Sequence, residues 1–383
     1  MKKLSTLVLL AVSFMVLTPA DGGHEVPVYP SYYPQEIRIE TVDLASAAGL
    51  LRKGAIHAYV GDGLVFGEKT PDNVSYVESL GSYLVLTVNR ASPVLDDREA
   101  RCSAVRPTVR ALAGATEGFI FHPYPITPYH MDYLHHFDLA EASKNLYLSD
   151  AGGHPSSASP VLKVRAKGML AETLVRPRRL EGETEWDATV EEINAGDLVA
   201  SHTVVVNGWL GPPWVKEGWF HALLLLAETV SDATARETVE LISGRLRRGE
   251  YERPEEKLNL ERNLVRLLTG GCERVVVGYT LKRWYFNSEY SGGVENIAYD
   301  SHTGFNSPMF LRTVKLKDFP WNGWLRLGIS SKPFTAWNPV GGFTDPASRL
   351  IWFAVGDPAL FPDPYNAGWV LNRISDVQST LKD

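Results

Sequence analysis

The sequence predicts an α+β protein: an α/β N-terminal region of βαβ units on a parallel sheet, then a helical and finally a β-rich C-terminal region. Three patterns carry this. Glu36 to Val42 alternates polar and apolar residues, the period of a half-buried strand; Leu44 to Lys53 is helical by composition; and Ala55 to Val60 is a short apolar run. Strand, ten-residue helix and strand make a crossover unit, which implies parallel pairing. Ala233 to Leu268 then carries charges at helical spacing, and beyond Gly270 short apolar runs alternate with turn residues.

Taken in order, Lys2 and Lys3 precede an apolar stretch from Leu4 to Leu17, and Thr18-Pro19-Ala20 supplies a small, turn-prone end. Residues 1–20 therefore read as a cleaved secretory signal. About 14 apolar residues fall short of the roughly 20 that cross a bilayer. A periplasmic or secreted location is expected, with no stable membrane insertion after cleavage. Val26 to Pro34 is too proline-broken for a helix. Asp43 can cap the first helix, which ends at Gly54. Tyr83 to Val88 reads as a strand, and Asp96 to Ala113 as a helix despite Pro107. The charged stretch around Arg176 to Glu185 marks a boundary between an α/β domain over 24–185 and an α+β domain over 186–383. In the second, helices are expected over Val215 to Thr229 and, broken near Pro254, over Ala233 to Leu268. The tail from residue 271 to 383 reads as strands at Arg274 to Tyr279, Phe310 to Leu316, Trp324 to Ile329 and Leu350 to Val355, separated by Gly-Gly, Trp-Asn-Gly and Asp-Pro turns.

Composition narrows the function classes. A net charge of -7 gives no general attraction for phosphate backbones, so nucleic acid is not an expected partner. The two cysteines, Cys102 and Cys272, form an even pair that an oxidising compartment would close into a disulfide. The sequence contains no G-x-S-x-G, H-E-x-x-H, C-x-x-C or G-x-x-x-x-G-K-[ST] motif. The expectation is an exported, non-catalytic binding protein for a small polar ligand or a metal ion. Two alternatives stand beside it. One is an accessory subunit of a periplasmic respiratory or metalloenzyme complex, with the aromatic tail as a protein interface. The other is a secreted hydrolase, for which Glu295 and Asp300 are the carboxylate pair to test.

The densest polar constellation runs from Phe121 to His136 and holds four of the ten histidines. Pro123, Pro125 and Pro128 make its first half a rigid, extended loop, and a helix is expected from about Tyr129 to Lys144. On that helix Asp132 would share a face with His135 and His136. His130, Asp132, His135 and His136 are thus candidate metal ligands, for zinc or, with Met131 adding a thioether, copper. His122, Tyr124 and Tyr129 are candidate contacts to a small polar ligand, and plain packing of the same rings is the competing reading. His221 lies in a Trp-rich segment that reads as core, and His302 in a polar loop with Glu295, Asn296, Asp300 and Asn306.

Asp43-Leu-Ala-Ser-Ala-Ala-Gly-Leu-Leu-Arg-Lys-Gly-Ala-Ile-His-Ala-Tyr-Val-Gly-Asp62 resembles a stretch of type II periplasmic solute-binding proteins, in which a short helix and Gly lead into a strand ending in a hinge-side Gly-Asp. Tyr83-Leu-Val-Leu-Thr-Val-Asn-Arg-Ala-Ser-Pro93, with the helix through residue 113, is similar to that family's strand and Ser-Pro helix start. The resemblance implies two α/β lobes about a ligand cleft and places Asp62, Arg90 and Ser92 at cleft-side positions. His57 stands where the family usually has an acidic residue, and these segments come earlier in this chain than in the family.

Overall fold

A computed structural model of the chain describes residues 34, 36–67, 69–92, 97–113, 118–149, 162–176, 185–202, 213–318, 323–337, 343–356, 358–365 and 368–376. The predicted signal segment lies outside these residues. The fold is α+β.

Its centre is an eight-stranded mixed sheet. Strands β1 (Glu36–Thr41) and β2 (Ala58–Val60) flank α1 (Leu44–Arg52), so the βαβ pattern is present. The two strands do not touch, however. Strand β10 (Trp324–Ile329) lies between them, parallel to both. Leu325, Leu327, Gly328 and Ile329 are buried, as a strand with neighbours on both edges and cover on both faces requires.

The rest of the sheet is mainly antiparallel. Strand β3 (Val74–Val88) pairs with β7 (Arg274–Asn287) on one side and β6 (Ala188–Asn194) on the other, β4 (Phe119–Phe121) adds to β7, and β5 (Val164–Lys167) lies parallel to β6. Strand β3 begins nine residues before Tyr83. Gly81-Ser82 resembles a turn, but the ladder slips between Leu80 and Tyr83 and continues, so the pair marks a β-bulge. Gly81 is required there because a Cβ would stand 2.7 Å from Thr280 Oγ1.

Helices cover the sheet. Trp219, Leu225 and Leu226 of α6 (Gly218–Leu226), Val239 and Ile242 of α7 (Ala233–Arg248) and Leu264, Val265 and Leu268 of α8 (Pro254–Thr269) form one core with Tyr83, Val85, Val276 and Tyr279 of the sheet. Helices α2 (Arg98–Ala111) and α4 (Met169–Val175) bury a second core against Leu84, Leu86, Val88 and Val190. Cys102 on α2 and Cys272 before β7 are joined in a disulfide, with Cα atoms 5.3 Å apart and 170 residues apart in sequence. Beside it, Arg101 pairs with Glu273 at 3.0 Å and donates to the Gly271 carbonyl at 2.8 Å.

The tail departs from expectation in two places. Phe310 to Leu316 is helix α9 (Pro308–Thr313) followed by a two-residue strand, and Leu350 to Val355 belongs to helix α10 (Pro346–Val355). The reason is capping. Ser307-Pro308 and Asp345-Pro346 each put a side-chain acceptor at the N-cap and a proline at the first helical position: Ser307 accepts from Met309 N and Asp345 from Ser348 N.

Candidate functional site

Strand β4 feeds the loop from His122 to His136 onto the face of β7 that carries the first core. The loop is stitched to itself: the His122 Nε2-H donates to the Ile126 carbonyl at 2.8 Å, and the Thr127 amide donates to His130 Nδ1 at 2.8 Å. The expected helix starts late. A single 3-10 turn at Tyr133–His135 precedes α3 (Phe137–Leu148), because Asp132 is occupied elsewhere. Its carboxylate accepts from the Gly218 amide at 2.6 Å and the Trp219 amide at 3.1 Å, capping α6 from outside the helix. A carboxylate there satisfies orphan amides and meets the positive end of the helix dipole. Gly218 permits this approach, since a Cβ on it would lie 2.5 Å from Ile126 Cγ2.

Around Tyr83 three imidazoles converge. Nitrogens of His130, His221 and His302 lie within 4.8 Å of one another. The hydrogen bonds fix the tautomers of two. With Nδ1 of His130 accepting from Thr127, the proton sits on Nε2 and is donated to Tyr83 Oη at 2.9 Å. The Tyr83 hydroxyl donates in turn to His221 Nδ1 at 2.7 Å, and the His221 Nε2-H to the Val215 carbonyl at 3.0 Å. A metal on His130 Nε2 would force the proton to Nδ1, facing the Thr127 N-H. The cluster is thus a proton-ordered polar core. Burial pushes His130 well below the usual imidazole range, His221 to about 4 and His302 to about 3, so all three are neutral at pH 7. Beside them burial opposes the Asp300 charge, but Lys216, in direct contact, and His302 hold its pKa below the ordinary value.

A second buried cluster is acidic. Asp132, His136 and Glu261 place a carboxylate oxygen, a ring nitrogen and a carboxylate oxygen within 4.8 Å of one another, and all three are buried. His136 is held by Tyr124 Oη at 3.0 Å from Nδ1, and Glu261 Oε2 by His135 Nδ1 at 3.0 Å. Lys257 pairs with Glu217 and with Glu261, the latter at 3.2 Å. Burial, then the Glu261 charge, raises Asp132 to about 7, and burial raises Glu261 as well.

The structure divides the residues singled out from sequence. Of the four metal candidates, His130 joins the Tyr83 cluster, Asp132 and His136 join the acidic cluster, and His135 braces Glu261 from the rim. Among the ligand candidates, Asp62 pairs with Lys282 at 2.8 Å, Tyr129 reaches Glu78 at 3.5 Å, Ser92 donates to Asp187 at 2.8 Å and Arg90 to the Glu228 and Thr229 carbonyls. Lys282 is in register with Ser79, eleven residues along the chain from Arg90, so Asp62 and Arg90 lie roughly 30 Å apart and share no site. Of the proposed hydrolase pair, Asp300 is engaged by Lys216 and the His302 and Thr303 amides, and Glu295 is exposed.

His122 and His130 line neither of the two cavities described here. A cavity of about 750 Å³ is lined by Pro123, Tyr124 and Pro125 of the loop, by Ser143, by Arg106, Arg262, Arg266 and Arg274, and by the two disulfide cysteines. Arg262 pairs with Asp138 and Arg274 with Glu191, while Arg106 and Arg266 make no ion pair among the described residues. A second cavity of about 600 Å³, walled by Arg52, His57, Asn287, Glu289, Asp318 and Arg326, opens at the N-terminal ends of β10 and β2.

Sequence reasoning missed Glu261, Glu217, Lys257 and the role of Tyr83. For Glu261 a signal existed. It stands at i, i+3, i+4, i+7 with Leu264, Val265 and Leu268, so it lies on the apolar stripe of α8 and not on its solvated face.

No family model and no curated protein matches the chain. Solved structures do. NikZ from Campylobacter jejuni in complex with Ni(L-His) is 12% identical over 68% of this chain and 58% of its own length, with a TM-score of 0.37. The oligopeptide-binding protein AppA from Bacillus subtilis is 12% identical over 72% and 58%, at 0.37, and HbpA2 from Haemophilus parasuis 12% identical over 72% and 56%, at 0.42. The chain spans less than two thirds of the length of each.

Proposed function

We propose that the chain is an exported, non-catalytic binding protein of the solute-binding kind, taking a small polar solute that carries an anionic group. The observation that carries this is the 750 Å³ cavity, whose lining includes Tyr124, two prolines of the stiffened loop and four arginines, Arg106, Arg262, Arg266 and Arg274. A guanidinium fork matches carboxylate or phosphate geometry, and Arg106 and Arg266 are not committed to an ion pair among the described residues. The resemblance of residues 43–62 and 83–113 to type II solute-binding proteins supports the same reading, and so does the predicted secretory signal. Among the described residues no helix is long and apolar enough to cross a membrane.

A thermal-shift screen of carboxylates, phosphate esters, amino acids and sugars tests it. A ligand at 100 times its Kd stabilises the folded state by about 2.7 kcal/mol. Anionic compounds should raise the melting temperature and neutral sugars should not; no shift with any anion at millimolar concentration would remove the proposal. An accessory-subunit role has one observation in its favour, the exposure of Phe334, Trp337, Val355 and Tyr365 in the tail. Co-purification of a stoichiometric protein partner is the result that would favour it.

A further inference from the structure

We propose that Asp132, His136 and Glu261 form a divalent-cation site of the zinc class, which goes beyond the solute-binding reading. Three features of the cluster point there. The first is the donor set: one imidazole nitrogen and two carboxylate oxygens are the ligands zinc takes with a fourth position left for water. The absence of sulfur among them argues against copper(I). The second is an atom without a partner. His136 is fully buried, yet its Nε2 has no hydrogen-bond partner. Buried polar atoms in native proteins are nearly always satisfied, by protein, water or ion. The third is charge. Asp132, Glu217 and Glu261 bring three carboxylates into one buried region against the single ammonium of Lys257, an excess that one divalent cation removes.

The surroundings are those of a supported site. Tyr124 Oη contacts His136 Nδ1, which fixes the ring and leaves Nε2 as the coordinating atom. His135 and Lys257 hold Glu261, and two amides of α6 hold Asp132. Such outer contacts orient the ligands. Ligand atoms up to 4.8 Å apart must close by roughly 1.5 Å to share an ion at about 2.1 Å, a movement within reach of side-chain rotation.

The test is titration of chelator-stripped protein with Zn²⁺ alone, and with Co²⁺ for its visible absorption. The expected result is one equivalent per chain, with a tetrahedral Co²⁺ spectrum, weakened at least tenfold in His136→Ala and Glu261→Gln and unchanged in His302→Ala. Tyr124→Phe keeps every ligand and should weaken binding about tenfold, which covers the case in which the ligand variants do not fold. No stoichiometric ion in the parent protein overturns the proposal. So does a spectrum lost in His302→Ala but kept in Glu261→Gln, which would move the ion to the Tyr83 cluster. A negative titration leaves a positive solute screen standing, so the two readings fail separately.

Discussion

Tyr83 shows how much a single hydroxyl can hold in this core. It accepts from one imidazole and donates to another, so Tyr83→Phe strands two buried ring nitrogens at once. The expected loss is about 2–3 kcal/mol, read as a lower urea midpoint with an unchanged slope; a change under about 0.5 kcal/mol would show that the chain of bonds contributes nothing. The histidines also set a pH dependence. Burial lowers His57 and His221 to about 4 and His302 to about 3, against 6.5 in the unfolded chain. Between about pH 6.5 and 4 the unfolded state therefore binds at least these three protons that the folded state refuses, His130 and His136 adding to them, and stability is full above that window and falls as pH falls through it. Asp132, raised to about 7, opposes this with one proton held only when folded. The imidazoles win, giving a net loss of at least roughly 2–3 kcal/mol per pH unit near pH 5. Urea midpoints compared at pH 7.5 and 5.0 would read it, and a flat profile would mean those rings are solvated.

Elements were legible where local signals were unopposed. Strand β10 and the break between α7 and α8 at Pro254 follow directly from periodicity and proline. Helices α9 and α10 were not, because Ser-Pro and Asp-Pro serve equally as turn starts and as helix N-caps, and only the buried stripe of Ala347, Leu350 and Phe353 decides for helix. The insertion of β10 between β1 and β2 is a long-range pairing on which a local pattern is silent. The site was legible in part for the same reason: the loop announces itself by composition, but its partners Glu261, His221 and His302 come from three distant elements. At this scale the sharpest dependence is the seam between loop and α6. Gly218→Ala drives a methyl into buried Ile126 and disturbs the amides that Asp132 accepts, so a loss of about 2–3 kcal/mol is expected. A melting temperature within a degree of the parent would show that the seam yields freely.

At the scale of the whole molecule, one sheet gathers strands from both ends of the chain, and the Cys102–Cys272 bridge closes a loop with 170 residues of sequence separation across it. Closing so long a loop restricts the unfolded chain by about 3–5 kcal/mol. Reduction should lower the melting temperature by many degrees; an unchanged melting curve under reductant would show that the ion pair and carbonyl contacts of Arg101 suffice alone. The disulfide also edges the arginine-lined cavity, so its loss should weaken solute binding along with stability. The central claim is that this cavity holds an anionic solute, and calorimetric titration of the best anion from the screen into the parent protein, Arg106→Ala, Arg266→Ala and His302→Ala tests it most directly. The account predicts saturable binding with one site per chain, weakened tenfold or more in each arginine variant and unaltered in His302→Ala. Equal affinity in all four proteins would contradict it.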